Sequence, residues 1–139
     1  MAPLADTPAE MWQKMLTLNA TSAFVALQAV IPSLRNGGGG RVVAISSAAT
    51  LDPAASLGAY AAGKLALNAL VDVAAKELRG AAITVNALLP TALDTPAMRA
   101  SMPRNQLVPL ENVAETIAFL LSERASSITG QKIRLSAEG

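Results

Sequence analysis

The sequence predicts an α/β domain: a doubly wound parallel sheet of about three strands, with three main helices on its faces. Segments with helical apolar periodicity alternate with short apolar runs, in the order helix, strand, helix, strand, helix, strand. This alternation is typical of parallel strands joined by right-handed crossovers. The run at 41–46 is apolar on both faces, as a parallel strand covered on both sides requires.

The amino-acid composition limits the size and type of the core and excludes several kinds of functional site. With 139 residues, 52% of them apolar and 3% aromatic, the chain is one domain (1–139), or part of a larger one, with an aliphatic core. It has no Cys and no His, which excludes thiol nucleophiles and leaves no metal site to expect. The net charge of +1 gives no basis for binding nucleic acid, and no apolar run approaches the roughly 20 residues of a membrane span. We therefore expect a cytoplasmic protein without nucleic-acid or membrane partners.

The first predicted helix covers about residues 8–35. Thr7-Pro8-Ala9-Glu10 has the pattern of a capping box with Pro at the first helical position. Apolar side chains then recur at near-helical spacing, at Met11, Met15, Leu18, Val25 and Val30.

A glycine run separates this helix from the first strand. Gly37–Gly40 follows a helix and precedes a strand, whereas a phosphate-binding loop follows a strand and opens a helix. We interpret the run as a flexible connection. The strand at about 41–46 comes next, and residues 48–58 form a loop.

The second predicted helix covers about residues 59–79. One apolar stripe consists of Leu67, Leu70, Val71, Ala74 and Leu78. A second face carries small residues that allow close packing against another helix, namely Ala62, Ala66, Ala69 and Val73.

The remaining elements complete the alternation. A buried strand is predicted at about 82–89 and is stopped by Pro90, and residues 91–109 form a loop. A helix at about 110–123 has clean apolar spacing. The last strand, at about 131–135, alternates apolar and charged residues, which suits the edge of a sheet.

Four polar residues form the candidate catalytic set. Tyr60 and Lys64 are four apart, so a helix places both on one face. Ser47 follows the first strand, and Asn19 lies on the preceding helix. A Lys ammonium one turn from a phenol favours the phenolate by its charge, which suits general acid–base catalysis. Each residue alone has an ordinary structural interpretation, such as a solvated helix pair, but the joint order and spacing favour descent from an enzyme.

These residues and their neighbours resemble the short-chain dehydrogenase/reductase family. The matching motifs are Leu18-Asn19-Ala20, Ser46-Ser47, Tyr60-Ala-Ala-Gly-Lys64 and Val85-Asn86-Ala87-Leu88-Leu89-Pro90. The resemblance covers nearly the whole chain and implies a Rossmann-like sheet, an NAD or NADP cofactor, and a small carbonyl or alcohol substrate. The loop from Leu89 to Pro103 also resembles that of quinonoid dihydropteridine reductase-like members.

The family resemblance implies a role for each catalytic candidate. Ser47 would donate a hydrogen bond to the substrate oxygen, and Tyr60 would exchange a proton with it. Lys64 would hold the nicotinamide ribose hydroxyls. Asn19 would position a water molecule in a proton relay.

The same resemblance implies a nicotinamide site. It is expected to include Tyr60, Lys64, Pro90, Leu93 and Thr95, with Thr95 and the backbone near Leu93 at the carboxamide group.

Two family features are absent from this sequence. It has neither the glycine-rich turn that cradles pyrophosphate nor the Asn-Asn-Ala-Gly segment expected before the first helix. The chain therefore resembles the carboxyl-terminal half of the family fold, and we expect the strand at 41–46 to present an unpaired edge. Thr91 stands where the family usually has Gly, so a β-carbon is expected to alter that turn.

Two functional hypotheses follow. The first is an NAD(P)-dependent oxidoreductase acting on a carbonyl/alcohol pair. The alternative is a catalytically inactive, truncated homologue that acts only as an oligomerising fold fragment. In either case we expect a homo-oligomer formed through the helices at about 8–35 and 59–79, as in the family that the chain resembles.

Overall fold

Three parallel strands form the sheet in the computed structural model, which describes residues 1–137. They are β1 (Gly40–Ile45), β2 (Ile83–Pro90) and β3 (Lys132–Leu135), in the spatial order β1-β2-β3. Gly40 is in register with Ile83, and Ala87 with Lys132. The predicted α/β class is confirmed; residues 138–139 of the predicted domain lie outside the described residues.

The helices cover both faces of the sheet, as a doubly wound fold requires. In chain order they are α1 (Ala9–Leu16), a π-helical turn (Thr17–Thr21), α2 (Ser22–Asn36), α3 (Gly58–Glu77), α4 (Pro96–Arg99) and α5 (Leu110–Leu121). Two apolar clusters form the core. The first joins β2 to α3 and α2, and the second joins Leu88 of β2 to Leu120 and Ala125.

The three strands differ in their surroundings. All eight residues of β2 are buried, whereas β3 alternates exposed and half-buried residues as an edge strand should. Within residues 1–137, β1 pairs with β2 alone. Its other side is therefore an open edge, as the sequence predicted.

The first helix begins differently from the prediction. Pro8 occupies the cap position with extended backbone, and no side chain caps the helix. The Thr7 hydroxyl instead donates to the carbonyl of Pro3 at 2.9 Å. The predicted capping box was wrong because Thr7 is engaged by the preceding 3₁₀ turn, Leu4–Asp6.

The π-helical turn changes which face of the first helix packs on the sheet. An extra residue in one turn rotates all later positions by about 100°. The predicted apolar residues Val25 and Val30, which follow the turn, are consequently 53% and 38% exposed, and Leu18 within the turn is 57% exposed. The side chains that pack against the core come from the rotated positions, Ala23, Leu27, Ile31 and Leu34.

The continuous helix Ala9–Asn36 meets the length and composition criteria for crossing a membrane. This differs from the expectation that no segment approaches that length. Core helices of soluble proteins meet the same criteria, so the finding is weak evidence for a membrane span. None of its residues is fully buried, although one stripe packs on the core.

The second predicted helix is confirmed as α3, with its buried side close to the predicted stripe. Leu67, Val71, Ala74 and Leu78 are buried, whereas Leu70 is only half-buried. The small-residue face is partly open, since Ala69 and Val73 are exposed.

The segment predicted as a loop at 91–109 contains short ordered elements. It holds α4 and the 3₁₀ turn Arg104–Gln106. A bridge between Leu93 and Val108 closes the segment at its base. The segment is therefore a folded excursion from the carboxyl end of β2.

Candidate functional site

A cleft of about 600 Å³ opens where the carboxyl ends of β1 and β2 meet the start of α3. In parallel α/β sheets this end of the strands is where ligands bind. Four of the predicted site residues line the cleft, together with Thr91 and Met98; these four are Ser47, Tyr60, Leu93 and Thr95. The fold therefore brings together residues that are far apart in the sequence.

Ser47 stands at the turn that follows β1. It caps the 3₁₀ turn Ala48–Thr50, with its Oγ accepting a hydrogen bond from the Ala49 amide at 3.2 Å. The Ser47 hydroxyl proton is not used by this bond, so it remains available to another acceptor.

Tyr60 and Lys64 lie one turn apart on α3, as predicted. The Lys64 Nζ is 5.9 Å from the centroid of the Tyr60 ring. It also donates to the carbonyl of Ile45 at 2.8 Å, which ties α3 to the carboxyl end of β1. Burial lowers the pKa of Lys64 from its ordinary value, because partial removal from water disfavours the charged ammonium.

Asn19 lies in the π-helical turn, a form of helix often found at functional sites. Its Nδ2 donates to the carbonyl of Met15 at 2.9 Å. The turn approaches α3 at Gly63, where an added β-carbon would be 2.9 Å from the Met15 carbonyl oxygen and 3.1 Å from the Asn19 Cβ. Gly63 thus permits the close packing that brings Asn19 to the helix that carries Tyr60 and Lys64.

Only some of the predicted nicotinamide residues line the cleft. Leu93 and Thr95 line the cleft, and the Thr95 Oγ1 caps α4 by accepting from the Met98 amide at 3.3 Å. Pro90 is buried at the end of β2 and does not belong to the cleft lining. Asn19 and Lys64 also lie outside that lining.

Thr91 does not distort its turn. Among the described residues, the non-glycine positions with positive φ are Ser56 and Ala82, so Thr91 has an ordinary backbone conformation. Its amide donates to the carbonyl of Leu135 at 2.9 Å. The β-carbon at this position is therefore accommodated without backbone strain.

Sequence reasoning missed an ionic cluster next to the cleft. The buried carboxylate of Asp94 accepts from Arg99 at 2.5 Å and 3.1 Å and from Arg104 at 3.2 Å. The hydrogen bond from Arg99 is the main cause that holds the pKa of Asp94 below its ordinary value. The cluster pins the start of the 91–109 segment to α4 and to the turn beyond it.

Sequence reasoning also missed two residues beside Ser47. Asn68 and Thr50 form a hydrogen bond between α3 and the turn after β1. The spacing contained a signal for Asn68, because it lies four residues after Lys64 on the face of the helix that carries Tyr60.

Comparisons with known proteins show which family this chain is similar to. The family model described as enoyl-(acyl carrier protein) reductase matches residues 1–137. A short-chain type dehydrogenase/reductase from Picea abies is 32% identical over 96% of this chain and 54% of its own length. Dehydrogenase/reductase SDR family member 4 from Bos taurus is 34% identical over 94% of this chain and 51% of its own length.

A solved short-chain type dehydrogenase/reductase from Mycobacterium ulcerans has a similar fold. It matches with a TM-score of 0.90 and 30% identity, over 97% of this chain and 54% of that one. The chain spans about half the length of the curated relatives it matches. On the family model, the relatives and the shared fold, the chain belongs to the short-chain dehydrogenase/reductase family of oxidoreductases.

Proposed function

We propose that this chain carries the substrate and nicotinamide side of an NAD- or NADP-dependent oxidoreductase that interconverts a carbonyl and an alcohol. The observation that carries the proposal is the shared cleft of Ser47 and Tyr60, with Lys64 one helical turn behind Tyr60. Two hydroxyl groups on one cleft can bind and protonate the same substrate oxygen. The ammonium behind them supplies the positive charge that acid–base work by a phenol needs.

The described residues fit the nicotinamide and its ribose. A Lys ammonium has three N–H donors, and Lys64 uses one of them on the Ile45 carbonyl. Two donors remain for a pair of ribose hydroxyls. Leu93 and Thr95 give the neighbouring wall of the cleft an apolar surface and a hydroxyl for the ring and its carboxamide.

The proposed chemistry divides between cofactor and protein. When bound, the nicotinamide supplies or accepts the hydride at the substrate carbon. In the reducing direction, Ser47 donates a hydrogen bond to the carbonyl oxygen and Tyr60 gives that oxygen a proton, so that an alcohol results. The Lys64 ammonium lies beside the Tyr60 ring throughout, and Asn19 holds a water molecule through which the proton is restored to Tyr60.

A cofactor titration tests the proposal directly. The purified chain is titrated with NADH and with NADPH while cofactor fluorescence is followed, and its oligomeric state is measured on the same sample. Saturable binding that weakens in Lys64→Ala supports the proposal, and a screen of aldehydes, ketones and alcohols should then follow. Absence of binding at millimolar cofactor would contradict it for this chain.

Uncovered apolar side chains favour self-association as a second candidate role, with or without catalysis. Phe24 and Val25 of α2 and Val73 of α3 are 49%, 53% and 50% exposed. Exposed apolar side chains can mark an interface between proteins when they lie together. We propose a homo-oligomer in which a second copy of the chain covers these helices. A chain that remains monomeric at high concentration would contradict this proposal.

A further inference from the structure

A chain of hydrogen bonds connects α3 to the backbone of Ser47. The Asn68 Nδ2 donates to the Thr50 Oγ1 at 3.1 Å. The Thr50 Oγ1 in turn donates to the Ser47 carbonyl at 2.8 Å, and the Thr50 amide donates to the same carbonyl at 3.1 Å. Asn68 is only 6% exposed, so water does not compete freely for this link.

The direction of these bonds follows from their chemistry. A Thr hydroxyl has one proton, and the Thr50 proton goes to the Ser47 carbonyl. Thr50 must therefore accept from its other neighbour, which turns the Asn68 nitrogen toward it. The Asn68 Oδ1 is buried and has no hydrogen-bond partner among the described residues. A buried acceptor without a partner costs free energy. The hydrogen bond that the Asn68 nitrogen donates to Thr50 is therefore the interaction that accounts for an amide side chain here.

The link joins the two elements that carry the proposed catalytic hydroxyls. Tyr60, Lys64 and Asn68 repeat every four residues along one face of α3. Lys64 holds the end of β1 through the Ile45 carbonyl, and Asn68 holds the turn just beyond Ser47. Ser47 is thus bracketed by two ties to the helix that carries Tyr60.

We propose that Asn68 and Thr50 are positioning residues, which fix the Ser47 turn on α3 and so set the place of the Ser47 hydroxyl relative to that of Tyr60. The inference rests on the proposed function for its catalytic consequence. Its structural part, the tie between the turn and the helix, is independent of cofactor and substrate. The two parts can therefore fail separately.

The structural part is tested by amide hydrogen exchange in the whole chain. Thr50→Val removes the hydroxyl and keeps the shape, and Asn68→Leu does the same for the amide. We expect each to speed exchange at the Thr50 and Leu51 amides by about tenfold, the effect of losing one hydrogen bond. Unchanged exchange at these amides in both variants would overturn the inference.

Two control variants separate positioning from general destabilisation. Thr50→Ser keeps the hydroxyl and should restore slow exchange at the turn. Thr116→Val removes a hydroxyl that bonds within α5, to the Asn112 carbonyl, and should leave the turn unchanged. Faster exchange at the turn in Thr116→Val, or no rescue by Thr50→Ser, would show that the effect is not specific.

The catalytic part is tested by kinetics wherever turnover is detected. Thr50→Val and Asn68→Leu should lower kcat about tenfold with little change in the KM for the cofactor, because Ser47 faces the substrate. Thr50→Ser should recover the rate. A normal kcat in variants whose turn exchanges fast would overturn the catalytic consequence. Absence of turnover in the unaltered chain would count against the proposed function. In that case the exchange experiment would still test whether Asn68 and Thr50 hold the turn on α3.

Discussion

Within residues 1–137, the two neighbours of β2 are both edges of the sheet, yet their sequences differ. β3 is short and alternates Lys132 and Arg134 with apolar residues, and Lys132 pairs with Asp72 of α3. Such charges protect an edge from unwanted pairing. β1 has no comparable protection at its carboxyl half, where Val43-Ala44-Ile45 is apolar and Ile45 is 40% exposed.

The contrast shows that β1 has the composition of an interior strand although it lies at an edge of the described sheet. An apolar groove beside it, between α2 and β1, continues the same uncovered surface. The chain spans about half the length of the relatives it matches. Within the described residues, β3 therefore has the alternating charges of a protected edge strand, whereas β1 has an apolar and uncovered edge.

Loss of the Tyr60 hydroxyl should have the largest effect. In any preparation that turns over, we expect Tyr60→Phe to lower kcat by roughly 10²–10⁴-fold, the usual contribution of a general acid or base. Thermal unfolding should stay the same, because Tyr60 lines a cleft and belongs to neither core cluster. Steady-state kinetics and a melting curve on one sample check both statements, and a variant that keeps its rate would contradict the acid–base role.

A matched pair of leucine truncations should sharpen the contrast between the two sides. Leu120 on α5 is fully buried, so Leu120→Ala should lower the free energy of unfolding by about 2–5 kcal/mol. Leu18 on the first helix is 57% exposed, so Leu18→Ala should cost less than about 1 kcal/mol. Urea unfolding measures both values. Similar costs at the two positions would mean that Leu18 is covered in solution by another chain.

A small-to-large change at Gly63 should test the junction between the first helix and α3. The added methyl group would meet the Met15 carbonyl at 2.9 Å, and we expect Gly63→Ala to destabilise by about 1–3 kcal/mol. Gly37→Ala is the control, because its added β-carbon would be at an ordinary 3.4 Å from the nearest atom. A Gly63→Ala variant as stable as the control would show that the helices do not pack this closely.

The smallest effect should come from acid. The pKa of Asp94 is lowered in the folded chain, so its pairing with Arg99 stabilises fully above the ordinary value of 3.8. That stabilisation is lost as the pH falls through the lower, folded-state pKa. The protection factors of the 91–108 amides, which correct for the intrinsic effect of pH on exchange, should therefore stay constant down to about pH 4 and fall below it, and Asp94→Asn should have modestly lower protection at every pH. An Asp94→Asn profile identical to the unaltered chain would contradict the role of this cluster.

Local pattern was sufficient to predict the elements and the family. Strand and helix order follow from apolar periodicity, and the Tyr60 and Lys64 spacing is a property of any helix that contains them. The open edge of β1 was predicted from the family resemblance, because the chain resembles only the carboxyl-terminal half of the family fold. The family assignment rests on the same motifs and is confirmed by the comparisons.

The first helix was predicted less well, for a physical reason. Its apolar residues fit a regular α-helix, but the structure has a π-helical turn at Thr17–Thr21. This turn lies where the first helix packs closely against Gly63 of α3. One inserted residue rotates everything that follows, so Leu27 and Ile31 pack on the core while Val25 is exposed. The local sequence of the first helix cannot predict this turn, because it carries no information about how closely α3 approaches.

The sequence by itself determined which residue types this protein brings to chemistry, and in what order they occur along the chain. Only the tertiary structure decided which of them meet. Ser47 and Tyr60 line one cleft because β1 and α3 join at the carboxyl edge of the sheet, and Asn68 and Thr50 were revealed only by that junction. Contacts between distant segments depend on how whole elements pack, and a spacing rule describes only neighbours along one helix or strand.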